Sequence, residues 1–264
     1  MKKSICFFMV TLFAGFFCVF NLTHINDASQ NDIGLVFGQE AQEEKTTLTE
    51  EEAEIAQQKL EKAMKELKRE VRTEVKVENG RTITGTVKCT RVRYPENVVV
   101  YVEEVGDNKY PAPEEHGVID QLILTFVPHV IAVQKGTTID FPNSDSVRHS
   151  VFSPEYSCQQ VNLGTYDVGV VKQVKFEESC EIPLLCNVHI EMSAFVLVLD
   201  NPYFSVTGKD GIFEIENVPP GNYKLSAWHE KLRTVTKDVT LEAGKTTASV
   251  NFLLKKKKKR RKKK

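Results

Sequence analysis

Cys186-Asn187-Val188-His189-Ile190-Glu191-Met192 places a thiol, an imidazole and a thioether within seven residues. So short a segment suits one tight loop. It is bordered by strand-like sequence, Glu181 to Leu185 before it and Ala194-Phe195-Val196-Leu197-Val198-Leu199 after it. A second imidazole, His149, lies upstream in Phe141-Pro142-Asn143-Ser144-Asp145-Ser146-Val147-Arg148-His149-Ser150-Val151-Phe152, behind the strand-like Gly136-Thr137-Thr138-Ile139-Asp140-Phe141. Any one of these residues has a plainer reading: a free Cys on a strand is usually a small buried hydrophobe, and a lone Met is usually core. Four donors of three kinds, each beside a strand or turn, predict that folding brings two distant stretches together on one metal ion.

Zinc accepts Cys and two His but gains little from a thioether. Met192 therefore favours copper, whose cuprous state prefers soft sulfur and whose cupric state prefers nitrogen. The pattern Phe141-x-Asn143 through His149, then Cys186-x-x-His189-x-x-Met192, resembles the cupredoxins, plastocyanin and amicyanin among them. The two-residue gap between His189 and Met192 is similar to the short amicyanin loop. The longer run to Asn201-Pro202-Tyr203-Phe204-Ser205-Val206 resembles bacterial plastocyanin-like proteins described as methylamine-utilisation related.

This resemblance implies a Greek-key β-sandwich holding one type 1 copper per chain on His149, Cys186, His189 and Met192. It implies a buried His149, a His189 nearer the surface as the electron port, and a Met192 that tunes the potential. Ser150, where the family more often has Asn, is expected to restrain the ligand loop by a hydrogen bond from just outside the metal's ligands, and Asn143 to brace the same region. Ile190 stands where Pro is common, which implies a less rigid loop.

Beyond Leu199 the pattern changes. Phe204 to Ile215 reads as a hairpin with an Asp210-Gly211 turn, followed by Asn217-Val218-Pro219-Pro220-Gly221-Asn222-Tyr223 and a strand to Trp228. This resembles the carboxypeptidase-regulatory-like module, a small transthyretin-like sandwich, whose opening Ile-x-Gly-x-Val strand is matched by Ile83-Thr84-Gly85-Thr86-Val87. The expected fold is all-β, with an N-terminal helix. A cupredoxin sandwich at 118–200 is nested in, or followed by, a transthyretin-like sandwich built from 80–105 and 203–253. Trp228-His229 reads either as core packing or as a relay or second metal site, and His129 as a surface histidine.

The formal net charge of −1 hides a division. Residues 255–264 are all Lys or Arg; without them 25 basic residues face 36 acidic ones, a net of −11. An acidic body thus carries a basic tail too charged to fold. Of six cysteines, Cys6 and Cys18 lie in an N-terminal apolar run, leaving Cys89, Cys158, Cys180 and Cys186. With Cys186 on a metal, an odd number remains. Cys158–Cys180 is the preferred disulfide because both lie between the two ligand segments; three buried thiols are the equal alternative.

Lys2 and Lys3 before the apolar run Ile5 to Phe20 read as an export signal, so residues 1–38 are either a cleaved signal or a retained anchor. Residues 39–79 read as an acidic helical linker, capped by Thr49 and Glu52. A thin apolar stripe (Ala53, Ala56, Leu60, Ala63, Leu67, Val71) either lies on a solvated spacer or pairs two chains.

No catalytic triad, phosphate loop or open metal position with an adjacent base is legible. The expectation is an exported, periplasmic or extracytoplasmic one-electron carrier, not an enzyme, working with redox protein partners. The basic tail would add an anionic surface or acidic partner, without specific nucleic-acid binding. The alternatives are a copper-binding or delivery protein, and a cell-envelope structural protein with a vestigial site.

Overall fold

Alternating burial along Glu181–Leu185, with Ile182 and Leu184 inward, and along Thr138–Pro142, with Ile139 and Phe141 inward, makes two strands that each present one apolar face. In the computed structural model, which describes residues 49–106, 109–242 and 244–256, these faces meet. One sheet has six strands, in the order Glu70–Val71, Val130–Gln134, Ser193–Leu199, Glu181–Leu185, His149–Phe152 and Asn162–Tyr166. The other has three, Val171–Lys175, Thr138–Pro142 and Gly117–Val118. Phe126, Ile131, Phe141, Val151, Phe176 and Ile182 fill the space between them.

A second sandwich is built from chain on either side of the first. Phe204–Val206, Val99–Val102, Gly221–Trp228 and Val235–Leu241 form one sheet; Ile212–Val218, Arg81–Cys89, Thr247–Ser249 and Phe252–Leu254 form the other. Among the described residues the fold is therefore all-β with one helix, and the first sandwich is nested within the chain of the second. Gly85 shows why its strand needs glycine: a Cβ there would lie 1.8 Å from the carbonyl oxygen of Val250. The hairpin expected of Phe204 to Ile215 does not form: Phe204–Val206 pairs with Val99–Val102 and Ile212–Val218 with the longer Arg81–Cys89, so Gly211, at φ +73°, turns the chain from one sheet into the other.

The helix runs Glu50–Glu66 and opens on the expected capping box, in which the Thr49 side chain accepts from Glu52 N–H and the Glu52 carboxylate accepts from Thr49 N–H. The helical stripe expected to reach Leu67 and Val71 stops short of both. Leu67 is already extended, and Val71, buried, pairs in parallel with Val133. The sheet edge gives a β-branched residue both a backbone partner and full burial, which outweighs its place in a thin helical stripe.

An apolar layer joins the sandwiches: Val130, Ala132, Leu197 and Leu199 from one, Val99, Phe204, Val206 and Trp228 from the other. Polar groups cross the same boundary. His129 Nε2 lies 3.0 Å from Glu230 Oε1, Trp228 Nε1 donates to Glu181 Oε2 at 2.8 Å, and Arg69 donates to the Thr207 carbonyl at 3.0 Å. His129 is thus half-buried in the junction rather than on the surface, because its other nitrogen reaches the Ser193 carbonyl at 2.9 Å. Trp228 packs in this layer against Phe195, with ring centroids 5.9 Å apart.

Residues 1–48, which hold the expected signal or anchor and the start of the linker, and 257–264 of the basic tail lie outside the described residues. Among the described residues no helix is long and apolar enough to cross a membrane.

Candidate metal centre

His149 opens the strand His149–Phe152, and Cys186 directly follows Glu181–Leu185. The two strands are neighbours in one sheet, with Leu185 opposite Phe152, so residues 37 positions apart in chain (149 and 186) reach the same end of the sandwich. The loop after Cys186 folds tightly. Met192 N–H bonds the His189 carbonyl at 3.1 Å, and Cys186 N–H bonds the Met192 carbonyl at 3.3 Å. This returns the chain into Ser193–Leu199 and carries His189 back over Cys186.

The result is a convergence of donors. His149 Nδ1 lies 3.0 Å from His189 Nδ1, and His189 Nδ1 lies 4.0 Å from Cys186 Sγ. All three donor atoms fall within 4.8 Å of one another. Nitrogen and sulfur bind an ion at about 2.0 and 2.3 Å, so two donors of one tetrahedral or trigonal ion stand about 3.3 to 3.7 Å apart. The two measured pairs lie within about half an ångström of that range, and the third, inside 4.8 Å, reaches it by a shift of at most about 1.3 Å. Among the described residues this is the one grouping of three or more His, Cys or carboxylate side chains that could hold a metal ion. Met192 is buried in the same core cluster as Cys186, and its backbone closes the loop.

The surroundings restrain His149 and Cys186. Ser150 N–H donates to Cys186 Sγ at 3.4 Å, and its hydroxyl lies 3.7 Å from the same sulfur while accepting from Asn187 N–H at 2.8 Å. One residue therefore ties the strand of His149 to the ligand loop. Asn143 acts further out. Its Nδ2 donates to the Val147 carbonyl at 2.9 Å and its Oδ1 accepts from Asp145 N–H at 3.2 Å, so it shapes the loop without touching a ligand atom. Cys158 and Cys180 are joined as a disulfide, Cα atoms 6.6 Å apart, while Cys89 and Cys186 are free.

Asp145 was not singled out from the sequence. Its Oδ2 lies 2.9 Å from His149 Nε2 and accepts from Leu124 N–H at 2.7 Å; its Oδ1 accepts from Ser146 N–H at 2.7 Å. Burial pushes this carboxyl up, but the N–H groups of Leu124 and Ser146 and the His149 ring outweigh it and hold the group below the usual carboxylate range. A carboxylate four residues before a ligand His was the signal that could have found it. The apolar stretch Gln121 to Pro128 is not continuous strand: Asp120–Leu122 and Thr125–Val127 form a hairpin turned by Ile123 and Leu124, both in the left-handed region at φ 52° and 54°.

His149 is fully buried, whereas His189 is half-exposed and flanked by the exposed Val188 and Ile190. The site can therefore hold an ion away from bulk water while one ligand ring reaches the surface.

Residues 193–255 match the family model of the carboxypeptidase regulatory-like domain, a stretch that runs from the last strand of the inner sandwich through most of the outer one. No curated protein matches the chain by sequence. Among solved structures the chain is similar to a copper-containing nitrite reductase from Thermus scotoductus SA-01, with 16% identity over 42% of this chain and 28% of that one and a TM-score of 0.31. It is similar to amicyanin from Paracoccus versutus, with 15% identity over 38% of this chain and 96% of that one and a TM-score of 0.30. A purple cupredoxin from Nitrosopumilus maritimus gives 24% identity over 29% and 83%, with a TM-score of 0.26. The centre itself is defined by its own donor geometry.

Proposed function

We propose that the chain is an exported type 1 copper protein that carries single electrons, a cupredoxin of the methylamine-utilisation-related, plastocyanin-like kind joined to a carboxypeptidase-regulatory-like sandwich. The observation that carries this reading is the convergence of His149 Nδ1, His189 Nδ1 and Cys186 Sγ at one end of a β-sandwich, with the thioether-bearing Met192 three residues beyond His189. Two nitrogens, a thiolate and a thioether satisfy both oxidation states of copper without a change of ligands. Bound copper would supply a one-electron couple.

The protein supplies rigidity and access. Ser150 restrains the thiolate, Asp145 holds His149, and the buried strand ends keep both from moving when charge changes. His189, half-exposed between apolar side chains, is the port for redox protein partners. The chain is a carrier and not an enzyme. The Lys2-Lys3 and Ile5 to Phe20 signal delivers it, cleaved or as an anchor, to the periplasm or another extracytoplasmic space, where a disulfide such as Cys158–Cys180 persists. The basic tail adds contact with an anionic surface or acidic partner.

The half-exposed His189 also favours a second reading, copper binding for delivery, since an ion held by a surface ligand has a way out. Repeated oxidation and reduction of the copper-loaded protein, followed by gel filtration and metal analysis, separates the two. A carrier keeps its ion through the cycles, and a delivery protein releases it in one state.

A further inference from the structure

The Asp145 carboxylate meets nitrogens from three directions: His149 Nε2 at 2.9 Å and the Leu124 N–H at 2.7 Å on Oδ2, and the Ser146 N–H at 2.7 Å on Oδ1. Its side chain is only 8% exposed and that of His149 is fully buried. A buried anion on the far nitrogen of an imidazole does two things. It draws the ring proton to Nε2, which leaves Nδ1, the atom facing His189 and Cys186, as a bare lone pair. It also adds fixed negative charge beside whatever ion the ring binds. The Leu124 contact is structural. Ile123 and Leu124 both hold positive φ, a conformation that bulky residues adopt at a cost. The Leu124 N–H bond to Asp145 helps fix this turn beside the centre.

We propose that Asp145 is the positioning and charge-setting residue of the centre: it clamps His149 to the Ile123–Leu124 turn, fixes the tautomer that presents Nδ1, and favours the more highly charged state of the bound ion. This deepens the copper reading and rests on it only for its last part. Ser150 and Asp145 thereby act in opposite directions, the first donating hydrogen bonds to the thiolate and the second adding charge behind the imidazole.

Two substitutions separate the roles. Asp145→Asn keeps an oxygen for His149 and Leu124 and loses the charge; Asp145→Ala loses both. In the metal-free protein, 15N NMR of His149 reads the tautomer without copper. Wild type and Asp145→Asn should show protonated Nε2 and bare Nδ1, while Asp145→Ala should show a mixture. With copper, the ratio of cupric to cuprous affinity should fall roughly tenfold in Asp145→Asn, which for a one-electron couple raises the midpoint potential by about 59 mV. Asp145→Ala should in addition lose roughly 10- to 100-fold in cupric affinity. Wild-type potential and affinity in both variants, or a wild-type His149 with its proton on Nδ1, overturns the proposal. If wild type takes up no copper, the functional reading fails by itself, and the tautomer comparison still decides the clamp.

Discussion

His149 Nδ1 and His189 Nδ1 face each other at 3.0 Å across 40 residues of chain. Two basic nitrogens at that separation share a proton or share an ion. Anything that binds the folded donors and not the unfolded chain stabilises the fold. Copper in hundredfold excess over its dissociation constant should therefore raise stability by about 2.7 kcal/mol. Thermal melting with and without the metal reads this, and Cys186→Ser should remove most of the shift. An equal shift in that variant would place the ion elsewhere.

Ser150 links two segments through one hydroxyl, which accepts from Asn187 N–H at 2.8 Å and faces Cys186 Sγ at 3.7 Å. Ser150→Ala removes both and leaves the backbone donor to sulfur in place. Its expected cost is about 1 kcal/mol in urea unfolding, the usual worth of such bonds. The copper-loaded variant should keep its charge-transfer band at a shifted position. An unchanged band and unchanged stability would mean that the hydroxyl restrains nothing.

Phe204 is fully buried in the layer between the sandwiches. Phe204→Ala removes a large ring from a closed boundary and should cost about 3 to 5 kcal/mol. Denaturant unfolding measures it. The donors stand in the inner sandwich, so the copper spectrum of the folded variant should stay as in wild type.

Glu230 sets an acid limit. Burial alone would push its carboxyl up, but hydrogen bonds from His129 and Lys231 and their charges pull it down to about 2 from an ordinary 4.5. A depressed carboxylate stabilises the fold fully above its unfolded value and loses that contribution as pH falls through its folded one. Stability should therefore decline between pH 4.5 and about 2, and Glu230→Gln should flatten that limb. Chemical denaturation across the range tests it; an unchanged slope in the variant would remove Glu230 from the acid response.

What the sequence made legible was local or chemically rare. Thr49 and Glu52 cap a helix by contacts within three residues. Asp210-Gly211 makes a turn within its own four residues, closed by Gly211 N–H on the Gly208 carbonyl, though the strands it joins go to different sheets. Cys, His and Met at short spacing next to strands have few joint explanations, so the grouping of His149, Cys186 and His189 was readable before their distances were. What stayed hidden depended on distant chain. Val71 looks helical until the strand Val130–Gln134 is there to pair with it. Ile123 and Leu124 look like strand until Asp145 holds the turn between them. His129 looks like a surface residue until Glu230, 101 positions later, arrives opposite it. Each of these is decided by tertiary partners that no window of local sequence contains.

The most direct test is a cupric titration of the purified protein, followed by its visible and spin-resonance spectra, beside Cys186→Ser. Thiolate ligation in a trigonal His2Cys site predicts one intense band toward the red end of the visible spectrum that saturates at one copper per chain and disappears in Cys186→Ser. A colourless wild-type complex, or a band that survives in Cys186→Ser, would contradict the assignment.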